Sequence, residues 1–311
     1  MQKEKVKTPK VRHLLTVRDL TPLQIHRLFK EAARLKQSRK KIRPLVGKTL
    51  GLLFQKPSVR TRVSFEVGMA QLGGQSLYIG PIELQEGQRE SPKDLALVLS
   101  RYLDGIVART FQHRDVEEMA QWASIPVING LSDWTHPCQA LTDLFTIQEK
   151  LGCLKGVRIG YVGDGNNVCH ALMEACSLLG VDLSLATPSG YQPDRGVIQW
   201  SEKQAKRSGS RLCLTSHPKE AVKNAQIVYT DVWTSMGQEQ EKEKRRQAFQ
   251  RFLVDGTLMR QAAKGALFMH CLPAHRGEEV SNEVIDSRAS IVYDQAENRL
   301  HLQKAILLML L

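Results

Sequence analysis

Short apolar runs alternate with helical stretches along most of this chain, and that alternation limits the fold more than any other feature. The runs Gly51 to Phe54, Gln75 to Ile79, Gly105 to Ala108 and Ile125 to Ile128 read as strands, with helical patterns at about 61 to 73, 91 to 102 and 114 to 123. A helix from about Pro137 to Leu151 follows. The pattern then begins again, with strands near Val157 to Val162, Asp182 to Ala186, Arg211 to Thr215, Ile227 to Thr230 and Leu267 to His270. Strands joined through helices pair in parallel, because parallel neighbours need a crossover connection. The expected architecture is α/β, with two parallel-sheet domains facing an interdomain cleft. At 311 residues each domain can bury its own core. The boundaries read from the pattern are 1–150 and 151–294. The last segment, Ala296 to Leu311, is helical and very apolar towards its end, so 295–311 is expected to return to the first domain.

Ligands in such folds sit beyond the carboxyl ends of the strands, and here those positions are polar. After the strand Thr49 to Phe54, Pro57 ends the extended run and a helix from Thr61 to Leu72 begins. Ser58, Arg60, Thr61 and Arg62 therefore gather where a helix offers unpaired N–H groups and the positive end of its dipole. Two guanidiniums and two hydroxyls at that terminus suit a phosphate dianion. Arg109 follows the third strand, and His136-Pro137-Cys138-Gln139 comes after the fourth. Asn166 and Asn167 follow Gly160-Tyr161-Val162, Asp231 follows Ile227 to Thr230, and Cys271 follows Leu267 to His270. Six strand ends thus converge on one cleft if the domains face each other.

The formal net charge of +12 raises the question of nucleic acid. Its basic clusters, Lys3 to His13, Lys36 to Arg43 and Lys242 to Arg246, contain few aromatics and match no nucleic-acid recognition signature. They read as solvated helix faces, and the excess charge as attraction for a small anionic substrate. The six cysteines are scattered without a C-x-x-C pair, so they read as reduced thiols in a cytoplasmic protein. No apolar run reaches membrane-spanning length, and the basic N-terminus lacks the apolar core of a secretory signal.

Four segments in order carry a resemblance: Ser58-Val59-Arg60-Thr61-Arg62, His136-Pro137-Cys138-Gln139, Asp231-Val232-Trp233-Thr234-Ser235-Met236-Gly237 and His270-Cys271-Leu272-Pro273. Together they resemble the aspartate/ornithine carbamoyltransferase family, on its ornithine-using side, from about His13 to Leu311. The resemblance implies transfer of a carbamoyl group from carbamoyl phosphate to the side-chain amine of L-ornithine, giving citrulline and phosphate. It also implies homotrimers or multiples of them, with active sites shared between neighbouring subunits. No cofactor or metal is implied.

Residue by residue, the resemblance assigns the phosphate to Ser58, Val59, Arg60 and Thr61. Val59 stands where the family commonly has Thr, which removes one hydroxyl and leaves the backbone donor. Arg109, His136 and Gln139 match positions that hold the carbamoyl end, and all three are suitable donors to a developing oxyanion. Gln85, Leu272 and Arg299 match further contacts to carbamoyl phosphate, Gln85 from a neighbouring subunit. Asn167, Asp231, Ser235 and Met236 match the ornithine site. Cys271 lies against the side-chain amine in the family, and a thiolate beside Asp231 or His270 is expected to help place that amine. Arg109, His136 and Cys271 are thus the expected catalytic residues.

Three other classes compete. A nicotinamide dehydrogenase is suggested by Gly163-Asp164-Gly165 after a strand, but Val168 replaces the third glycine of that fingerprint and Asn166-Asn167 would crowd a pyrophosphate. A carbamoyltransferase for an acylated ornithine or putrescine is opposed by Asp231 and Ser235-Met236, which suit a free α-amino acid. A non-catalytic regulatory homologue is opposed because each expected polar position except Val59 is filled.

Overall fold

The computed structural model describes residues 11–38, 42–84, 90–235 and 237–311. The first sheet contains β1 (Thr49–Phe54), β2 (Gln75–Ile79), β3 (Gly105–Arg109) and β4 (Val127–Leu131), in the order β2-β1-β3-β4 and all parallel. Its helices are α1 (Pro22–Gln37), α2 (Val59–Gln71), α3 (Pro81–Leu84), α4 (Pro92–Leu99), α5 (His113–Trp122) and α6 (Pro137–Leu151). The second sheet contains β5 (Arg158–Val162), β6 (Asp182–Ala186), β7 (Leu212–Thr215), β8 (Ile227–Thr230) and β9 (Leu267–His270), ordered β7-β6-β5-β8-β9 and again all parallel. It is accompanied by α7 (Asn167–Leu179), α8 (Arg195–Ser208), α9 (Pro218–Val222), α10 (Lys242–Phe249), α11 (Gly256–Met259) and α12 (Asn282–Ile285). The last helix, α13 (Val292–Leu310), packs on α1, α2 and α6.

Strand β4 and helix α1 differ from the sequence pattern for identifiable reasons. Strand β4 begins two residues later and ends three later than the apolar run Ile125 to Ile128, because Pro126 has no N–H for the ladder while Asn129 and Gly130 continue it. Buried Asn129 is tolerated there because its amide donates to the Leu15 carbonyl at 2.9 Å. Helix α1 was not anticipated as an element. Thr21 and Gln24 form its capping box, Pro22 occupies the first turn, and Ile25, Leu28, Phe29, Ala32 and Leu35 make its buried face.

The strand orders place one crevice in each sheet. In a doubly wound sheet the connections on either side of a switch in strand order diverge, which leaves a gap at the carboxyl ends. The switch falls between β1 and β3 in the first sheet and between β5 and β8 in the second.

Candidate active site

The segment after β1 forms a helix start as the sequence suggests. Ser58 is the N-cap of α2. Its Oγ accepts from the Thr61 N–H at 3.3 Å and lies 3.1 Å from the Thr61 hydroxyl, to which it donates. Arg62 departs from the expected cradle: its guanidinium is paired with Glu66 at 2.9 Å and stacked 3.8 Å from the Tyr78 ring centroid. At i,i+4 on an exposed helix face, Glu66 captures the arginine that the spacing had assigned to an anion.

Across the switch, Arg109 ends β3 at an irregularity in register, where the pairing with β4 skips from Asn129 to Leu131. Such a bulge turns the last side chain out of the ordinary pleat. Burial and the nearby Arg299 and Arg60 lower Arg109 to about 10, still a cation at neutral pH. His136, the residue before α6, is buried, and its Nδ1 has no hydrogen-bond partner among the described residues. Burial first, and then the charges of Arg299, Arg109 and Arg60, hold the imidazole well below its ordinary value. It is a neutral ring facing a cluster of three guanidiniums.

Arg299, from α13, reaches into the same place. It donates to the Thr61 hydroxyl at 2.8 Å and to Oε1 of Gln139 at 3.2 Å. The other end of the Gln139 amide donates to Asp143 at 2.8 Å. Gln139 was expected as a donor towards the cleft. Its nitrogen is instead turned to Asp143 and its oxygen to Arg299. Asp143 also accepts from Gln295 at 2.7 Å and from the Tyr229 hydroxyl at 3.0 Å, so one carboxylate joins α6, α13 and β8.

The second sheet contributes the opposite wall. Asn166 caps α7 through its side-chain oxygen and donates its amide to Oδ2 of Asp231 at 2.8 Å. Asn167 donates to the Ser132 carbonyl at 2.5 Å, and His170 meets the Trp134 carbonyl at 2.9 Å; both bonds span the two units. The Cys271 thiol lies 2.9 Å from Oδ1 of Asp231, which also accepts the Val232 N–H at 2.8 Å. Loss of water around the sulfur and the charge of Asp231 push this thiol well above the ordinary cysteine value. The expected thiolate is therefore corrected: Cys271 is a protonated donor. His270 is no base for it either, because Nδ1 accepts from the Leu272 N–H at 2.8 Å and Nε2 meets Glu279 at 3.2 Å. Leu272 itself, two residues past the end of β9, has φ 60, a left-handed conformation strained for a leucine.

The loop carrying Ser235 is held from beneath. Arg245 of α10 is buried, paired with Asp164 at 2.8 Å, and donates to the Trp233 carbonyl at 3.0 Å. That overturns the reading of Lys242 to Arg246 as wholly solvated. The expected helix start near Gln238 is also displaced: a short 3-10 turn covers Glu239–Glu241 and α10 begins at Lys242. Gln85 and Met236 lie outside the described residues. Atoms of Asp231, His270 and Cys271 lie within 4.8 Å of one another at metal-ligand type positions, but each is already engaged in the hydrogen bonds given above.

Family models cover both units. Residues 12–149 match the carbamoyl-phosphate binding domain of aspartate/ornithine carbamoyltransferase, and residues 155–310 match its aspartate/ornithine binding domain. The chain belongs to the aspartate/ornithine carbamoyltransferase family. It is 55% identical over 305 residues to the ornithine carbamoyltransferase of Pyrococcus horikoshii, covering 97% of this chain and 96% of that one. It is 52% identical over 295 residues to the Bacillus subtilis enzyme of the same name, covering 94% and 92%. The solved ornithine carbamoyltransferase of Pyrococcus furiosus superposes with a TM-score of 0.94 at 54% identity, covering 97% of each chain.

In this carbamoyltransferase chain, the polar residues missed from sequence are supports. The sequence places Asn166 among the polar strand ends and as an obstacle to a pyrophosphate; its capping role is the part missed, although an Asn before an apolar helical run is a capping signal. Asp143 and Arg245 each have an i,i+4 partner, Gln139 and Glu241, but spacing gives no signal for Tyr229 and Asp164, which are 86 and 81 residues away along the chain.

Proposed function

We infer that this chain transfers the carbamoyl group of carbamoyl phosphate to the side-chain amine of L-ornithine, releasing L-citrulline and phosphate. The observation that carries this is one cleft with an anion cradle and three guanidiniums on one wall and the Asp231 carboxylate on the other. In this reading residues 1–150 with 295–311 bind the donor and 151–294 bind ornithine.

Carbamoyl phosphate seats its phosphate on the N–H groups of Val59, Arg60 and Thr61, with Ser58 and Arg60 closing around it. Val59 supplies only its backbone donor. Arg109 and neutral His136 donate to the carbonyl oxygen, whose charge grows as the carbon becomes tetrahedral; Arg299, Leu272 and the Gln85 of a neighbouring subunit complete the donor site. Ornithine places its α-ammonium against Asp231, beside Asn167, Ser235 and Met236, and its side-chain amine against Cys271. Closure of the two units then excludes water from the labile donor.

The neutral amine attacks directly, forming the C–N bond. The C–O bond to phosphate breaks with its electron pair going to the leaving oxygen. Neither Cys271 nor His136 can take the proton shed by the nitrogen, because the thiol already carries its own and the imidazole is held far too acidic. The departing phosphate, adjacent and dianionic, is the base. Orientation and charge stabilisation supply the rest of the barrier reduction.

A trimer is part of the proposal, supported by apolar residues on the outside of the first unit. Val59, Val63 and Val67 form a stripe at i, i+4, i+8 on α2, beside Leu77 on edge strand β2 and Ile82, which is 84% exposed. A reducing, cytoplasmic setting is proposed from the six free thiols. No helix among the described residues is long and apolar enough to cross a membrane. The test is citrulline formation from carbamoyl phosphate and L-ornithine beside N-acetylornithine, putrescine and L-aspartate. Turnover of ornithine alone supports the reading, and turnover of another amine with ornithine inert overturns it.

A further inference from the structure

The Gln139 amide is held at both ends, and the sense in which it is held has a chemical consequence. Arg299 presents only N–H groups, so it demands an oxygen, and Asp143 offers an acceptor, so it demands the nitrogen. Turning the amide over would set N–H against N–H and oxygen against oxygen in a buried place, each an unsatisfied polar contact. Asp143 is itself fixed, since Oδ1 accepts from both Gln139 and Gln295 while Oδ2 accepts from Tyr229. Gln295 in turn accepts the His270 N–H at 3.1 Å, so the clamp is tied to the end of β9 that carries Cys271.

We propose that Asp143 is a positioning residue that fixes the amide sense of Gln139, so that Gln139 offers its carbonyl oxygen to the amino group of the carbamoyl donor. The proposal rests on the carbamoyl-phosphate reading and deepens it. Carbamoyl phosphate ends in one carbonyl oxygen and one NH2. Arg109 and His136 are donors suited to the oxygen, and an acceptor is needed for the N–H. With its nitrogen tied to Asp143, Gln139 is that acceptor, and it distinguishes an amino group from a methyl group of the same size. Asp143 touches no substrate; it selects by holding the residue that does. The work depends on the acceptor atom Oδ1 rather than on the negative charge.

Acetyl phosphate, which has a methyl group where carbamoyl phosphate has NH2, is the probe. Dissociation constants for carbamoyl phosphate, acetyl phosphate and inorganic phosphate are measured on wild type, Asp143→Ala, Asp143→Asn and Tyr229→Phe. In wild type the carbamoyl compound is preferred. Asp143→Ala is expected to reduce that preference about tenfold, the worth of one hydrogen bond in a dry site, with inorganic phosphate binding unchanged within about twofold. Asp143→Asn keeps an acceptor for both glutamines and retains the preference. Tyr229→Phe loosens the same carboxylate without touching Oδ1, so it lowers stability and retains the preference too. A preference that survives Asp143→Ala, or that falls equally in Tyr229→Phe, overturns the proposal. Equal weakening of all three ligands does so as well. If Asp143→Ala does not fold, neutron diffraction on wild-type crystals in D2O decides: ND2 of Gln139 facing Asp143 supports the proposal and ND2 facing Arg299 overturns it. A wild type that does not use carbamoyl phosphate at all would instead contradict the underlying functional reading.

Discussion

The Cys271 thiol donates to Oδ1 of Asp231 across 2.9 Å, joining the end of β9 to the end of β8. Because burial and this carboxylate push the thiol well up, it is expected to react slowly with iodoacetamide at neutral pH, more slowly than exposed Cys153 and Cys213. Peptide-resolved mass spectrometry measures that order. Cys271→Ser keeps a donor for Asp231 and is expected to lower kcat less than about tenfold. Cys271→Ala removes it and is expected to lower kcat by about ten- to a hundredfold, the range of a hydrogen bond to a charged group.

Arg60 and Arg62 are two residues apart and should differ sharply. Arg60 stands near enough to Arg109 and His136 to affect both, whereas Arg62 is held by Glu66 and Tyr78. Arg60→Ala is expected to raise KM for carbamoyl phosphate by about ten- to a hundredfold, and Arg62→Ala by less than about threefold. Steady-state kinetics at saturating ornithine reads both.

A buried carboxylate with an exposed partner sets a pH dependence of stability. Glu174 in α7 pairs with Arg18 at 2.7 Å, yet burial outweighs the pairing and raises the carboxyl to about 7. Below pH 4.5 this group is neutral in both folded and unfolded chains. Between 4.5 and 7 the unfolded chain sheds the proton and the folded one keeps it, so the group's contribution is lost as pH rises through that window. Glu174→Gln never ionises. It is expected to match wild type near pH 4 and to exceed it at pH 8 by on the order of 3 kcal/mol, as measured by urea unfolding at the two pH values.

The proposed assembly depends on the valine stripe of α2. Val63 is 47% exposed and lies on neither the cradle nor the core. Val63→Glu is expected to leave the far-UV spectrum unchanged and to reduce the particle from three times the chain's 35.0 kDa to one, with activity falling alongside. Light scattering measures the mass.

The fold was legible because each strand is a compact apolar run and each crossover helix has the other period. Four strands, β2, β6, β8 and β9, begin and end where the pattern places them. Pro126 displaced β4, whereas the capping box of Thr21 and Gln24, Pro22 and the spacing of Ile25, Leu28, Phe29, Ala32 and Leu35 do mark α1 in the sequence, outside the strand–helix alternation on which the fold was read. At the site, Ser58, Arg109, His136 and Asp231 stand at strand ends, where position alone marks them. The sense of the Gln139 amide, the protonation of Cys271 and the departure of Arg62 depend on partners such as Asp143, Asp231 and Glu66. The i,i+4 spacing makes Glu66 available to Arg62 and Asp143 to Gln139, but burial and the competing long-range partners of the folded chain, such as Asp231 for Cys271, are not written in it.

The most direct test supplies carbamoyl phosphate labelled with 13C at its carbonyl carbon, together with L-ornithine, and follows the label by NMR in wild type and in Arg60→Ala. The predicted result is a ureido resonance of L-citrulline, growing with wild type and strongly slowed in Arg60→Ala. A label that appears only in the spontaneous breakdown products of the donor, at equal rates with and without the protein and with ornithine unchanged, would contradict carbamoyl transfer in this cleft.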